Sequence, residues 1–227
     1  MKPLLIIRPE PAAQQSLERA RACGLEAHSF PLFETLPLAW DIPDPKAYTG
    51  VMLTSANAVR MSGTGLTHLL SMPVFAVGEA TAAAARDAGF VSLITGDADV
   101  ARLLARLATL GPQKLLHLCG ADHVEADMTM IEVDRRTVYK AEPVEPPQAF
   151  LSMLAQPAVI MVHSPRAASR TSAICDQHQI DRSLISIAAI SANAALAARD
   201  GWQKLAIAAK PRDEDILTAA ETLCLQK

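Results

Sequence analysis

The sequence predicts an α/β protein made of two similar domains, each built on a parallel sheet covered by helices. Three observations lead to this prediction. Short apolar runs alternate with Ala-rich helical stretches along the 227 residues. Most of these runs are continuous, which is typical of strands that are buried on both faces. The same succession of runs and helices occurs twice, so the chain contains an internal repeat.

Ten segments have the apolar character expected of strands. They are 3–8, 25–30, 50–55, 73–77, 91–95, 114–119, 136–140, 158–163, 184–190 and 204–209. The intervening stretches favour helices. One is predicted over 11–23, with Ala13, Leu17 and Ala20 on one face and Gly24 at its end. Alternating strands and helices imply parallel sheets with right-handed crossovers.

The repeat is visible when segments from the two halves of the chain are compared. The pairs are 4–8 with 115–119, 50–59 with 158–167, and 74–81 with 186–193. Asp97 and Asp213 each open a later helix, where we expect their carboxylates to cap the helix N-terminus. The order is therefore a short βαβ unit, a longer (βα)₃ unit, and then both again.

Two Pro-rich stretches suggest where the domains are divided. They lie at 37–45 and 143–147, and each follows a short βαβ unit. Pro-rich polar stretches are typical of linkers between domains. One discontinuous domain is therefore expected to comprise 1–36 and 148–227, and the other 46–142.

Composition and missing motifs exclude several classes of function. The net charge of −3 argues against a nucleic-acid binder. The glycine patterns of dinucleotide sites, P-loops and esterase nucleophile elbows are not present in the sequence. The apolar run at 4–7 is too short for a signal peptide or a membrane span, so we expect a cytoplasmic protein that does not bind membranes.

One cluster of metal-ligating residue types stands out in the sequence. His117, Cys119 and His123 are close along the chain. His117 and Cys119 lie on a predicted strand, and a loop is expected between this strand and His123. We therefore predict no metal site here.

Five short motifs occur in the order and spacing of a known family. They are Arg8-Pro9, Leu53-Thr-Ser-Ala-Asn-Ala-Val59, Val77-Gly-Glu-Ala-Thr-Ala82, Val138-Tyr-Lys140 and Val162-His-Ser-Pro-Arg-Ala167. With these motifs the whole chain resembles the uroporphyrinogen-III synthase family. The resemblance implies two flavodoxin-like α/β domains, the first made from both chain ends, joined by a two-stranded linker.

The resemblance also implies a reaction. Linear hydroxymethylbilane loses the hydroxyl group of ring A, and ring D attacks the resulting electrophile through a spiro intermediate. Ring D ends inverted in uroporphyrinogen III, and water leaves. The family uses no cofactor, and without enzyme the unrearranged isomer I forms. We therefore expect a small-molecule substrate, received from porphobilinogen deaminase by transient hand-over. Since no long apolar edge or heptad repeat is evident in the sequence, we also expect a monomer.

The substrate carries eight carboxylates, so its site needs positive charge and many hydrogen-bond donors. Ligands of open α/β sheets bind at the carboxyl ends of strands, where helix N-termini offer backbone N–H groups. The substrate-binding residues expected at these junctions and near them are Arg8, Ser55, Asn57, Gly78, Thr81, Lys140, Ser164, Arg166, Ser191 and Asn193. Ser55 and Ser164 are also expected to cap helices, and Arg8 could instead pair with Glu10 or Asp41.

Tyr139 is the candidate catalytic residue. It matches a tyrosine that the family has near its substrate cleft, and a phenol can hydrogen-bond to the leaving hydroxyl or donate a proton through water. The alternative is a packing tyrosine with one hydrogen bond.

Two other functions stay open. The segment Ser191-Ala-Asn-Ala194 departs from the family, whose members often carry Gly and Thr there. A non-catalytic two-lobed module that binds a tetrapyrrole or another anion, or serves as a sensor, is therefore an alternative. A flavodoxin-like electron carrier is the third hypothesis, but aromatic residues that could stack on a flavin make up only 4% of the chain.

Overall fold

A computed structural model describes residues 1–96, 114–122 and 131–226. It contains helices on parallel-dominated sheets, which confirms the predicted α/β fold class.

The chain divides into two compact units. Unit 1 comprises Met1–Glu34 and Pro143–Lys227, and unit 2 comprises Thr35–Glu142. Unit 1 is thus discontinuous in sequence.

Strands and helices alternate through most of the described chain. The strands are β1 (Leu4–Ile6), β2 (Ala27–Ser29), β3 (Phe33–Pro37), β4 (Gly50–Leu53), β5 (Val74–Val77), β6 (Leu93–Gly96), β7 (Lys114–Gly120), β8 (Glu132–Pro143), β9 (Ala158–Val162), β10 (Ile185–Ala189) and β11 (Lys204–Ile207). The α-helices are α1 (Ala12–Ala22), α2 (Ala56–Met61), α3 (Glu79–Asp87), α4 (Gln148–Leu154), α5 (Pro165–Gln177), α6 (Ala192–Ala197) and α7 (Asp213–Leu225). Short 3₁₀ helices lie at Pro45–Ala47, Gly63–Leu69 and Arg182–Leu184.

The sheet of unit 1 has the strand order β11-β10-β9-β1-β2, and all four pairings are parallel. Its central strands β1, β9 and β10 are completely buried, as their continuous apolar sequences predict. Helices α1 and α7 pack their apolar residues on one face of this sheet.

The sheet of unit 2 has the order β3-β8-β7-β4-β5-β6, and the pairings from β8 to β6 are parallel. Without β3, this order matches β2-β1-β9-β10-β11 of unit 1 strand for strand. Strand β4 (50–53) therefore has the same position in the sheet of unit 2 as β9 (158–162) has in unit 1. In the same way, β7 corresponds to β1. The predicted internal repeat is confirmed as a repeat of topology.

Parallel pairing brings the carboxyl ends of neighbouring strands to one edge of each sheet. In unit 1, β1, β9 and β10 lead to Arg8, Ser164 and Ser191. In unit 2, β4 leads to Ser55 and β5 to Gly78. The repeat therefore places these five predicted binding residues on the equivalent edges of two sheets.

Two strands differ from the prediction. Strand β3 at Phe33–Pro37 was not expected, and β8 extends over Glu132–Pro143 rather than 136–140. In β3 the polar residues Glu34 and Thr35 interrupt the apolar ones, so it has no apolar run, and β8 is mostly polar outside the predicted segment 136–140. The helix expected to open at Asp97 lies outside the described residues.

Within the described part of the chain, no helix is long and apolar enough to cross a membrane.

Candidate active site

In unit 2, the Tyr139 side chain reaches the residue that follows β4. Its hydroxyl donates a hydrogen bond of 3.2 Å to Oγ of Ser55. Ser55 is the N-cap of α2, as predicted, and its Oγ also accepts a 3.1 Å hydrogen bond from the backbone N–H of Asn57. The structure thus brings together Tyr139, Ser55 and Asn57, three of the predicted site residues.

These contacts define what the Ser55 hydroxyl can still do. A hydroxyl has two lone pairs that accept and one O–H that donates. The backbone N–H of Asn57 and the phenol of Tyr139 occupy both acceptor positions of Ser55. Among the described residues, these two accepted bonds are the contacts of Ser55 Oγ, so its O–H can donate to a ligand.

Gly120 makes room for the tyrosine. It ends β7 and lies opposite Tyr139 in the register of β7 and β8, next to a β-bulge. A Cβ at this position would lie 2.6 Å from Cζ and 2.8 Å from the hydroxyl oxygen of Tyr139. Sequence reasoning did not identify Gly120, because a glycine at a strand end gives no sign of which distant ring it faces.

Gly78 and Thr81 lie at the next junction of the same sheet edge. Gly78 is the N-cap of α3 with a φ of +81° and a ψ of 149°, a backbone conformation that is essentially restricted to glycine. Thr81 lies one turn later and is buried. Nearby, the buried His117 shares a 3.1 Å hydrogen bond between its Nε2 and Thr54 Oγ1.

In unit 1, Arg8 takes part in a network that sequence reasoning missed. Its Nη1 donates to Asp213 Oδ1 at 2.6 Å and to Ser16 Oγ at 3.2 Å. Arg19 and His163 also contact the Asp213 carboxylate, His163 through a 3.0 Å bond from Nε2. The partner of Arg8 is thus neither Glu10 nor Asp41, the two carboxylates considered from the sequence.

The predicted capping role of Asp213 is wrong. The N-cap of α7 is Arg212, without a side-chain capping bond, and Asp213 is the first helical residue. Its carboxylate faces Arg8 and Arg19, because two guanidinium groups attract it more strongly than neutral backbone N–H groups. A signal for this network was available in Ser16, a polar residue on the otherwise apolar face of α1.

Burial and charge shift the pKa values of both titrating members of this network. Burial alone would raise the pKa of Asp213, but the hydrogen bonds from His163 and Ser16 and the charge of Arg8 hold it well below its ordinary value. Burial, together with the charge of Arg8, lowers the pKa of His163. Asp213 is therefore an anion and His163 a neutral ring at pH 7.

Ser164 and Ser191 lie at the neighbouring strand ends of unit 1. Ser164 caps α5, as predicted, by accepting a 3.1 Å hydrogen bond from the backbone N–H of Ala167. Ser191 caps α6 in the same way, with a 3.3 Å bond from Ala194. Asn193, in the first turn of α6, is exposed.

The remaining two predicted residues do not join these groups. The Arg166 guanidinium stacks over the ring of Phe33, 4.6 Å from its centroid. Lys140 forms a 2.7 Å ion pair with Glu142 on its own strand.

The described residues do not add ligands to the metal site considered around His117 and Cys119. Among the described residues, no group of three or more His, Cys, Asp or Glu side chains is arranged to hold a metal ion. His123, one of the three residues considered from the sequence, lies outside those residues.

Comparisons with known proteins agree with the resemblance. Residues 14–218 match the sequence profile of the family described as uroporphyrinogen-III synthase HemD. A uroporphyrinogen-III synthase of Chlorobaculum parvum (strain DSM 263 / NCIMB 8327) is 35% identical over 71 residues, which is 31% of this chain. The matched stretch spans 28% of that relative.

Two solved structures share the fold. The uroporphyrinogen-III synthetase of Helicobacter pylori 26695 is 18% identical with a TM-score of 0.68, and the match covers 98% of this chain and 100% of that one. A mutant uroporphyrinogen III synthase of the extremely thermophilic bacterium Thermus thermophilus is 13% identical with a TM-score of 0.55, over 98% of both chains. Since the family profile matches most of the sequence, the chain belongs to the uroporphyrinogen-III synthase family.

Proposed function

We propose that this protein converts hydroxymethylbilane into uroporphyrinogen III. The observation that carries the proposal is the match of residues 14–218 to the family profile. The geometry supports it, because hydroxyl groups lie at the carboxyl-end edge of each sheet and the guanidinium of Arg8 lies at that of unit 1. These donors suit a substrate with eight carboxylates and one hydroxyl group that must leave.

The substrate carboxylates bind to donors that follow the strands. In unit 2 the carboxylate-binding residues are Asn57, Gly78, Thr81 and Lys140, while Ser55 binds the hydroxyl group of the substrate. In unit 1 the carboxylate-binding residues are Arg8, Ser164, Arg166, Ser191 and Asn193. Arg8 and Arg166 are the strongest of these donors, since a guanidinium can hold a carboxylate with two parallel hydrogen bonds. Thr81 contributes little surface because it is buried.

The chemistry begins when the C–O bond of the hydroxymethyl group on ring A breaks. The oxygen leaves as water after it receives a proton, and ring A becomes the electrophile. Ring D attacks it through the α-carbon that already carries the bridge to ring C, which gives the spiro intermediate. The bond from this carbon to that bridge then breaks and re-forms at the other α-carbon of ring D, which releases its proton and leaves ring D inverted. This released proton balances the one that the leaving hydroxyl received.

Ser55 and Tyr139 supply the proton to the leaving hydroxyl. The Ser55 O–H is the donor that its two accepted hydrogen bonds leave available. Tyr139 donates to Ser55, so it can replace the proton that Ser55 gives away. The rest of the catalysis is conformational, because the enzyme must fold a flexible chain so that ring D attacks in the inverted sense.

The product isomers test this proposal. The protein is mixed with porphobilinogen and porphobilinogen deaminase, the products are oxidised, and uroporphyrins I and III are separated by chromatography. Isomer III that depends on added protein supports the synthase. Isomer I alone, from a folded sample, contradicts it and favours the non-catalytic tetrapyrrole-binding alternative.

A further inference from the structure

The Asp213 carboxylate collects donors from distant parts of unit 1. Arg8 follows β1, His163 follows β9, and Ser16 lies on α1. Asp213 itself opens α7, where the helix dipole favours a negative charge. This one side chain therefore ties the ends of two central strands to two helices.

The ion pair leaves Arg8 able to bind an anion. The Arg8 side chain is 27% exposed, whereas that of Asp213 is 16% exposed. Among the described residues, Arg8 donates its hydrogen bonds through Nη1 alone. A guanidinium has five N–H donors, so Nη2 and Nε remain for a ligand.

The charges around Asp213 also leave a positive balance. The carboxylate contacts two guanidinium groups, those of Arg8 and Arg19, while His163 is neutral at pH 7. One negative charge thus faces two positive ones, and the cluster still attracts a carboxylate.

We propose that Asp213 is a positioning residue for substrate binding, which holds Arg8 in the orientation that receives a substrate carboxylate. The inference rests on the proposed function, in which Arg8 binds substrate. An arginine side chain that is already ordered loses less conformational entropy when it binds, so affinity for the substrate rises. Asp213 does not contact the substrate in this proposal and acts through Arg8.

The test is a double-mutant cycle of Asp213→Asn and Arg8→Ala, with initial rates of isomer III formation measured against hydroxymethylbilane concentration. Asp213→Asn should raise KM about tenfold and leave kcat within about twofold. Arg8→Ala should raise KM at least as much. The double variant should be no worse than Arg8→Ala alone, because Asp213 acts through Arg8.

The matched control is Asp215→Asn. Asp215 lies in the same first turn of α7 and has the same 16% side-chain exposure, but it pairs with Arg212 at 2.6 Å. The control loses the same charge and should keep the wild-type KM. Thermal unfolding of every variant shows whether the fold is retained.

Several results would overturn the inference. Two results would overturn this inference and leave the proposed function intact. One is an unchanged KM in Asp213→Asn, and the other is additive effects of Asp213→Asn and Arg8→Ala in the double variant. A wild-type protein that makes no isomer III would overturn the proposed function and this inference with it. If Asp213→Asn does not fold, Ser16→Ala takes its place, because Ser16 Oγ contacts both Arg8 and Asp213. That variant should raise KM about threefold, and an unchanged KM would reject the positioning role.

Discussion

The ring of Tyr139 lies against the backbone of Gly120, so closely that a Cβ on Gly120 would be 2.6 Å from the tyrosine Cζ. The two residues face each other across β7 and β8. From this position the phenol reaches Ser55, 3.2 Å away at the end of β4. The absence of a side chain at Gly120 is thus a condition for the contact between Tyr139 and Ser55.

Gly120→Ala should displace the phenol from Ser55. The added methyl overlaps the ring, and overpacking of this kind typically costs about 1–3 kcal/mol of stability. We expect kcat for isomer III formation to fall about tenfold, with little change in KM. Steady-state kinetics checks this, and in a Tyr139→Phe background the same substitution should have no further effect on kcat. An active Gly120→Ala enzyme with wild-type kcat would show that the position of the phenol is unimportant.

Tyr139→Phe should slow the reaction without abolishing it. The ring and its packing remain, but the hydroxyl that donates to Ser55 is lost. Since water can replace the phenol as a proton source, we expect kcat to fall about 10- to 100-fold. Ser55→Ala should have a similar effect, and the double variant should resemble the worse single variant. Full additivity of the two effects would mean that the two hydroxyls act independently.

Ser164→Gly separates a capping role from a binding role. Ser164 caps the 13-residue helix α5, and glycine at an N-cap costs only a few tenths of a kcal/mol, whereas alanine costs about 1 kcal/mol. If the hydroxyl also binds a substrate carboxylate, both variants should raise KM about threefold, although only Ser164→Ala is clearly destabilised. Urea unfolding and steady-state kinetics together check this. A wild-type KM in both variants would leave Ser164 with capping alone.

Stability should fall as the pH drops below 6.5, the ordinary pKa of histidine. Burial lowers the pKa of His163 in the folded protein, so between that lower value and 6.5 the unfolded chain binds a proton that the folded protein does not. The free energy of unfolding should therefore decrease with falling pH in this window, by at most about 1.4 kcal/mol per pH unit for one proton. Protonation of Asp213 should lower the free energy of unfolding further only below pH 3.8, the ordinary pKa of an aspartate, since the pKa of Asp213 is also lowered in the folded protein.

Urea unfolding of His163→Gln between pH 5 and 8 measures the histidine contribution. The variant should show a flatter dependence of stability on pH than the wild type. His178→Gln, at an exposed histidine after α5, is the matched control for the substitution itself. Equal pH dependence in His163→Gln and the wild type would show that this side chain does not titrate as proposed.

Local patterns in the sequence predict much of this fold, because buried parallel strands have continuous apolar sequences. The runs at 50–53 and 158–162 are examples, and their equivalence in the two sheets follows from their similarity. Strand β8 is predicted only in part, at 136–140, since charged residues such as Asp134 and Arg135 precede that segment. The length of β8 depends on its pairing with β7, a long-range interaction that a local sequence pattern does not predict.

The site is predicted less completely than the fold. Ser55 and Ser164 are helix caps in the structure because capping is a local interaction, which the sequence shows directly. The partner of Arg8 is 205 positions away along the chain, so the sequence gives no direct sign of it. The sequence pattern at Asp213 predicts a local capping role instead, because capping depends on neighbouring residues alone.

The most direct test of the proposed synthase activity is the fraction of isomer III as a function of the amount of added protein, at a fixed rate of hydroxymethylbilane supply. This fraction should rise with the protein until isomer III is nearly the sole product, and Arg8→Ala should require more protein for the same fraction. A folded protein that leaves isomer I as the product at every concentration would contradict the proposed activity.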